Sequence, residues 1–279
     1  MTARRDAAVV AVAAASWGTW SLFLRPTGLP ALTIAPIVFA VMGLVALPVA
    51  LAAPRARWDR ATLGLVALNA AFDAANVICF FAALAYTTVA IAVLTHYAAP
   101  ILVALGAGPI DGNSPRGTRP AALVALAGLA IVLEPWHAPA AGALVGAALG
   151  LASAAAYAGN VFVVRRLAGR IGATRAMAYH ALVAAAVLAP VAASGLRDVT
   201  PGALALLAAG GATIGAGAGI AFATGLVRIG SARAAVLAYA EPLVAVGVGV
   251  AVWHEPLHAI AALGAALVIA AGIHVARQC

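Results

Sequence analysis

The sequence predicts an all-α polytopic membrane protein of ten transmembrane helices, built as two inverted five-helix repeats around a central cavity. Three observations lead there. Apolar residues make up 65% of the 279 and charged ones 9%, and the mean hydropathy is +1.08, whereas a soluble domain carries about a quarter of charged residues. Apolar stretches of about 20 residues, each enough to cross ~30 Å of hydrocarbon at ~1.5 Å per residue, recur along the whole chain. Two segments also end alike: residues 80–103 (FFAALAYTTVAIAVLTHYAAPILV) and 222–245 (FATGLVRIGSARAAVLAYAEPLVA). At an offset of 142, Phe80 meets Phe222, Leu84 meets Leu226, Tyr97 meets Tyr239 and Pro100 meets Pro242.

Cutting at charges, prolines and glycine-rich turns places the helices at 7–25, 31–52, 61–83, 86–106, 119–134, 140–163, 174–193, 201–224, 233–253 and 257–276. The first follows Arg4 and Arg5 and has the look of a signal peptide, but nine spans come after it, so a retained helix is expected. The third carries a polar and aromatic stripe. The fourth and ninth share the Tyr-x-x-Pro ending, and the fifth is the shortest. Glycine recurs every fourth residue in the sixth (Gly142, Gly146, Gly150) and eighth (Gly211, Gly215, Gly219), which lets helix backbones approach closely. Gly128 and Gly264 correspond across the last helices of the two halves. Five helices per half is an odd number of crossings, so the second copy, residues 138–279, enters the membrane upside down relative to residues 1–137.

Arginine sets the expected sidedness. All sixteen basic residues are arginine. With the N-terminus cytoplasmic, the inside loops hold Arg4, Arg5, Arg55, Arg57, Arg60, Arg116, Arg119, Arg165, Arg166, Arg170, Arg175, Arg228, Arg233 and Arg277, and the outside loops only Arg25 and Arg197. That bias obeys the positive-inside rule and puts both termini in the cytoplasm. Trp58, Trp136 and Trp253 fall at predicted span ends, where interfacial aromatics belong. The net charge of +8 is thereby used for orientation, and nucleic acid is not an expected partner. Cys79 and Cys279 are too few and too misplaced for a disulfide framework.

Only two acids, Asp73 and Glu241, lie well inside spans, where a charge costs several kcal/mol unless it faces a cavity or a partner. Asn69, Phe72, Asp73, Asn76 and Phe80 recur at spacings of three and four and share one helical face, as a cavity wall or an interhelical seam. Pro100 cannot donate to the carbonyl of His96, nor Pro242 to that of Ala238, so both acceptors are expected to be free near mid-span. His96 and Tyr97 stand at the first kink, Tyr239 and Glu241 at the second. Trp17 is too deep for the interfacial belt, and Tyr157 shares a face with Asn160. Tyr179 and His180 complete the polar inventory, with no role expected for His180. The expected substrate-binding set is Trp17, Phe72, Asp73, Asn76, Phe80, His96, Tyr97, Tyr157, Tyr239 and Glu241, with Pro100 and Pro242 as kinks.

Two motifs are set aside. His254-Glu255-Pro256-Leu257-His258 matches HExxH, but zinc chemistry needs both histidines on one intact helical face, and Pro256 interrupts it. The glycines at 210–219 lack a preceding strand and a P-loop lysine. No metal, cofactor or enzymatic activity is expected.

With these residues in view, the chain resembles the drug/metabolite transporter superfamily and, within it, the EamA-type ten-helix permeases. The resemblance rests on the repeated proline segments at 97–103 and 239–245 and on the ending WHEPLHAIAALGAALVIAAGI, similar to the family's acidic-proline turn and Gly/Ala final helix. Glu255 meets the acidic position after the ninth helix. Its first-half counterpart reads Asp111-Gly112-Asn113, a departure that makes the two ends non-equivalent. The resemblance implies alternating-access export of amino acids or related metabolites across the bacterial inner membrane, and the aromatic set looks similar to the aromatic amino acid exporter branch. Efflux of hydrophobic cations is the alternative, ahead of a membrane-embedded enzyme or a passive pore. Proton exchange at Asp73, His96 or Glu241 is left open, as are the direction of net flux and the oligomeric state.

Overall fold

The computed structural model describes residues 2–54, 56, 58–112, 115–137, 142–193, 195–256 and 258–278. Arg55, Arg57, Asn113, Leu257 and Cys279, which entered the readings above, lie outside them. Among the described residues nine helices are long and apolar enough to cross a membrane. They are α1 (Ala3–Thr27), α2 (Ala31–Ala52), α3 (Arg60–Tyr86), α4 (Val89–Asp111), α6 (Ala143–Ile171), α7 (Ala173–Ala192), α8 (Pro201–Ile229), α9 (Ser231–Trp253) and α10 (Ile260–Arg277). The remaining helix, α5 (Thr118–Leu133), has 16 residues, about 24 Å at the usual rise. The chain is thus a multi-pass, all-helical membrane protein.

Helix starts have local causes. Asp59 caps α3, accepting from the Thr62 N–H at 2.6 Å. That N–H, helped by the Thr62 hydroxyl and Arg170, holds the Asp59 carboxyl below its ordinary value of 3.8. Thr88 caps α4 and Thr200 caps α8, with Pro201 in the first turn where its missing N–H costs nothing. Gly172 and Gly230 join α6 to α7 and α8 to α9 as single-residue links at φ 85° and 88°, a region that a side chain would strain.

The ends of α4, α6 and α8 run past the expected bounds, to Asp111, Ile171 and Ile229. Arg165, Arg166, Arg170 and Arg228 therefore ride on the last turns of helices and not in loops. A long guanidinium stem lies along the helix and carries its charge to the interface, and a cation suits the negative end of the helix dipole.

The helices pack in a pattern that survives exchange of the halves. The α2 helix packs on α7, α5 on α10 and α4 on α9, while α3 packs on α6 as α1 does on α8. Shifting every label by five returns the same set. Two corresponding pairs also touch. A Cβ on Gly128 would meet the Gly264 carbonyl oxygen at 2.6 Å, and one on Gly264 would meet that of Gly128; Tyr97 and Tyr239 face each other with ring centroids 6.0 Å apart.

Ion pairs mark the two ends of the bundle. Asp6–Arg228 (2.8 Å), Asp59–Arg170 (3.3 Å) and Asp111–Arg165 (2.9 Å) lie at one end. Arg25–Glu255 (2.6 Å) and His258–Glu134 (2.9 Å) lie at the other. The two acidic positions differ in burial, with the Asp111 side chain 4% exposed and that of Glu255 48%, but their partners match. Asp111 pairs with Arg165 as Glu255 pairs with Arg25, each joining an acid at the end of α4 or α9 to an arginine carried by the corresponding α6 or α1. Glu255 and His258 of the HExxH string are both drawn into these end contacts. His254 closes α9 in a left-handed conformation at φ 56°, so the string is no helical face.

The glycine stripes are packing seams. A Cβ on Gly142, Gly146 or Gly150 would strike Tyr86, Thr87 or Thr95, and one on Gly211, Gly215 or Gly219 would strike Val41, Met42 or Met177. The eighth helix is further altered, with wide π-type turns from Gly211 to Gly217.

Candidate functional site at the helix breaks

Four departures from regular helix converge. In α1 the chain turns at Gly18, Thr19 and Trp20. A Cβ on Gly18 would meet the backbone nitrogen of Ala245 at 2.7 Å, so this turn lies directly against α9. In α4, helix stops at His96 and resumes at Ala99; in α9 it stops at Leu237 and resumes at Ala240. The π-type turns of α8 complete the set. Trp17 donates its indole N–H to the carbonyl of Ile214 at 3.0 Å, satisfying an acceptor in a segment whose regular ladder is widened.

The prolines locate both breaks, but at the α9 break the carbonyl expected to be free is taken. Ala238 is not free: its carbonyl accepts from the Glu241 N–H at 3.0 Å. The residue immediately before Pro242 reaches it because the bond from position 242 is missing. In α4 the carbonyl that takes a partner from another helix is that of Tyr97. It accepts from the Tyr239 hydroxyl at 2.8 Å, and Tyr239 is only 1% exposed.

Around this contact the expected residues form a connected group. His96 has ring-centroid separations of 5.0 Å from Phe80, 5.2 Å from Tyr97 and 5.5 Å from Tyr157. The Tyr97 side chain neighbours the Glu241 carboxyl. Tyr157 lies one turn before Asn160, the donor to Asp73. Asn76 joins through a residue the spacing argument missed: Ser153 donates to Asn76 Oδ1 at 2.7 Å and lies 2.8 Å from His96 Nδ1. Since the one serine proton goes to Asn76, the serine oxygen must accept from His96, so His96 carries its proton on Nδ1.

Trp17 and Phe72 stand to the sides. The Trp17 ring packs on Phe222 at 4.8 Å, and Phe72 covers Gly159, where a Cβ would meet its ring at 2.6 Å. Asp73 turns toward α6 and α7. Asn160 donates to its Oδ1 at 2.6 Å, and its Oδ2 lies 2.8 Å from His180 Nδ1. His180, for which no role was expected, is thus the closest titratable partner of a mid-span acid. A groove of about 360 Å³ opens between α1 and α8 beside Asp6 and Arg228, away from the aromatic group.

Chemically, the cluster offers aromatic faces, an imidazole, a carboxyl and a broken-helix carbonyl within one contact network. Among the described residues no group of three histidine, cysteine or acidic side chains is placed to hold a metal ion.

No curated protein matches the chain. One solved crystal structure is similar over 98% of both chains, with a TM-score of 0.84 and 21% identity, a likeness that shows the fold alone. Residues 144–276, which span helices α6 to α10, match the EamA-like transporter family and point to a membrane transporter of small molecules.

Proposed function

We propose that the chain is a secondary carrier that exports amino acids, aromatic ones in particular, across the bacterial inner membrane by alternating access. Residues 1–137 and 138–279 act in it as inverted repeats with both termini cytoplasmic. One observation carries the reading: the breaks of α4 and α9 meet at Tyr97 and Tyr239, with His96 and Glu241 beside them. Interrupted helices at the interface of two repeats are where secondary carriers hold their substrates. Aromatic faces at Phe80, Tyr97 and Tyr157 suit an indole or phenyl ring, Glu241 and Asp73 an ammonium group, and His96 and Asn76 a carboxylate.

A second reading, efflux of hydrophobic cations, is supported by the placement of charge. Both mid-span carboxyls are near the rings, while the described arginines that form ion pairs do so at helix ends. Counterflow into proteoliposomes preloaded with single amino acids, using labelled tryptophan outside, separates the two. Saturable uptake is expected, falling at least tenfold in Tyr97→Ala and Asp73→Ala at equal reconstitution. Undiminished flux in both variants refutes the site, and quaternary ammonium dye efflux without amino acid exchange selects the second reading.

A further inference from the structure

Asp73, His180, Asn160 and Asn69 form a polar group on α3, α6 and α7, distinct from the aromatic contacts. Asn69 is 0% exposed and His180 6%. The carboxylate is held from one side by Asn160, whose Nδ2 also approaches the Asn69 carbonyl at 3.5 Å. On the other side, Asp73 Oδ2 and His180 Nδ1 are 2.8 Å apart. The contact is short but poorly directed for a hydrogen bond, so both atoms lack an aligned partner among the described residues, as do both polar atoms of the Asn69 amide. Buried polar atoms left in this condition are costly, the more so in a membrane interior.

Two lone pairs do not rest 2.8 Å apart in such surroundings, so at least one of the two facing atoms carries a proton. The pair then has two accessible charge states. With a second proton on the ring it is imidazolium against carboxylate, net zero; without it, a neutral imidazole faces a carboxylate, net minus one. Little else nearby compensates that charge. The α2 span contributes no ionisable side chain, and α8 contributes only Arg228 in its last turn. On α6 the nearby groups are Tyr157 and Asn160, with Arg165, Arg166 and Arg170 in its last turns. On α4 there is His96, and on α7 itself Tyr179 and, in the first turn, Arg175. On α3, Cys79 lies six residues from Asp73, and Arg60 and Tyr86 lie at the ends.

We infer that the Asp73–His180 pair is a proton-coupling site, binding one proton in exchange for a substrate bound at the aromatic cluster. Tyr157 connects the two: it lies one turn before Asn160, which donates to Asp73 at 2.6 Å, and its ring stands 5.5 Å from that of His96. An ammonium group arriving among the rings and a proton on the imidazole relieve the same negative charge, so each weakens the other's hold. The proton leaves the imidazolium to water on whichever side the site is open, and no other bond changes. The inference rests on the carrier reading above.

A pH gradient imposed on proteoliposomes tests it. In the wild type, labelled tryptophan should accumulate several-fold above its counterflow level when the gradient is present. In His180→Gln the ratio of gradient-driven to gradient-free flux should fall to one. Gradient-driven accumulation that persists in His180→Gln overturns the inference, as does wild-type counterflow that ignores the gradient. If the wild type shows no tryptophan counterflow, the substrate reading fails instead, and infrared difference spectra of the protein in lipid across pH decide the proton site. A carboxylate band abolished by Asp73→Asn should titrate together with an imidazole band and shift in His180→Gln. A carboxylate titration indifferent to His180→Gln refutes it.

Discussion

Ser153 is fully buried and has one hydroxyl to serve two neighbours, giving its proton to Asn76 and taking one from His96. Ser153→Ala leaves the His96 N–H and the Asn76 oxygen unpaired in the interior, at a cost of about 1–3 kcal/mol. The expected result is a lower melting temperature and a change in the imidazole tautomer population seen by nitrogen NMR; an unchanged tautomer would show that the serine does not set it. Legibility at this scale divides by distance along the chain. Asn69, Phe72, Asp73, Asn76 and Phe80 could be grouped in advance because helical spacing puts them on one face. Ser153 lies one turn before Tyr157 and two before Asn160, so its membership in a polar face of α6 was open to the same argument. His180 was not, since its partner is on another helix, and nothing in local spacing states which faces of α3 and α7 meet.

Helices were legible where the bilayer sets their length and less so where partners set their shape. About 20 apolar residues per crossing located the nine helices long enough to span and the shorter α5 between them, and Pro100 and Pro242 marked the two breaks. Which carbonyl a break releases depends on how the chain closes the gap, by Glu241 bonding back to Ala238 and Tyr239 reaching across to Tyr97. The wide turns at Gly211–Gly217 had no signature beyond glycine spacing that reads equally as packing. The seam on α6 is the most exacting element. A Cβ on Gly150 would come within 2.9 Å of Thr95 Cβ and closer to its hydroxyl, and that hydroxyl is already bonded to the Ile91 carbonyl at 2.7 Å. Gly150→Val should destabilise by about 1–3 kcal/mol through overpacking, whereas Gly64→Ala, with nothing within 4 Å, should be close to neutral in the same unfolding measurement.

At the scale of the molecule the corresponding ion pairs at opposite ends differ in burial. Asp111 and Arg165 have side chains 4% and 27% exposed, against 48% and 51% for Glu255 and Arg25. Asp111→Ala strands a partly buried guanidinium and should cost on the order of 3 kcal/mol, whereas Glu255→Ala should cost under about 1 kcal/mol. Detergent-titrated unfolding measures both, and equal losses would contradict the ordering. An odd count of crossings is what predicts oppositely oriented halves. The matched packing of their helices was not, because the 142-residue offset aligns the third and fourth helices with the eighth and ninth and leaves the others faint.

The tyrosine bridge between the halves carries a consequence for how the protein rests. Tyr239 reaches the backbone of Tyr97, while the Tyr97 side chain neighbours Glu241. Were the halves to trade roles, Tyr97 would reach the backbone of Tyr239, and Tyr239 would turn to the position matching Glu241. That position is Ala99, which offers no acceptor, and Glu241 would lose its phenol. For the carrier proposed above, two orientations so unequally furnished would weight the scale toward one pan before any substrate is placed on it, and an idle molecule would wait facing one side.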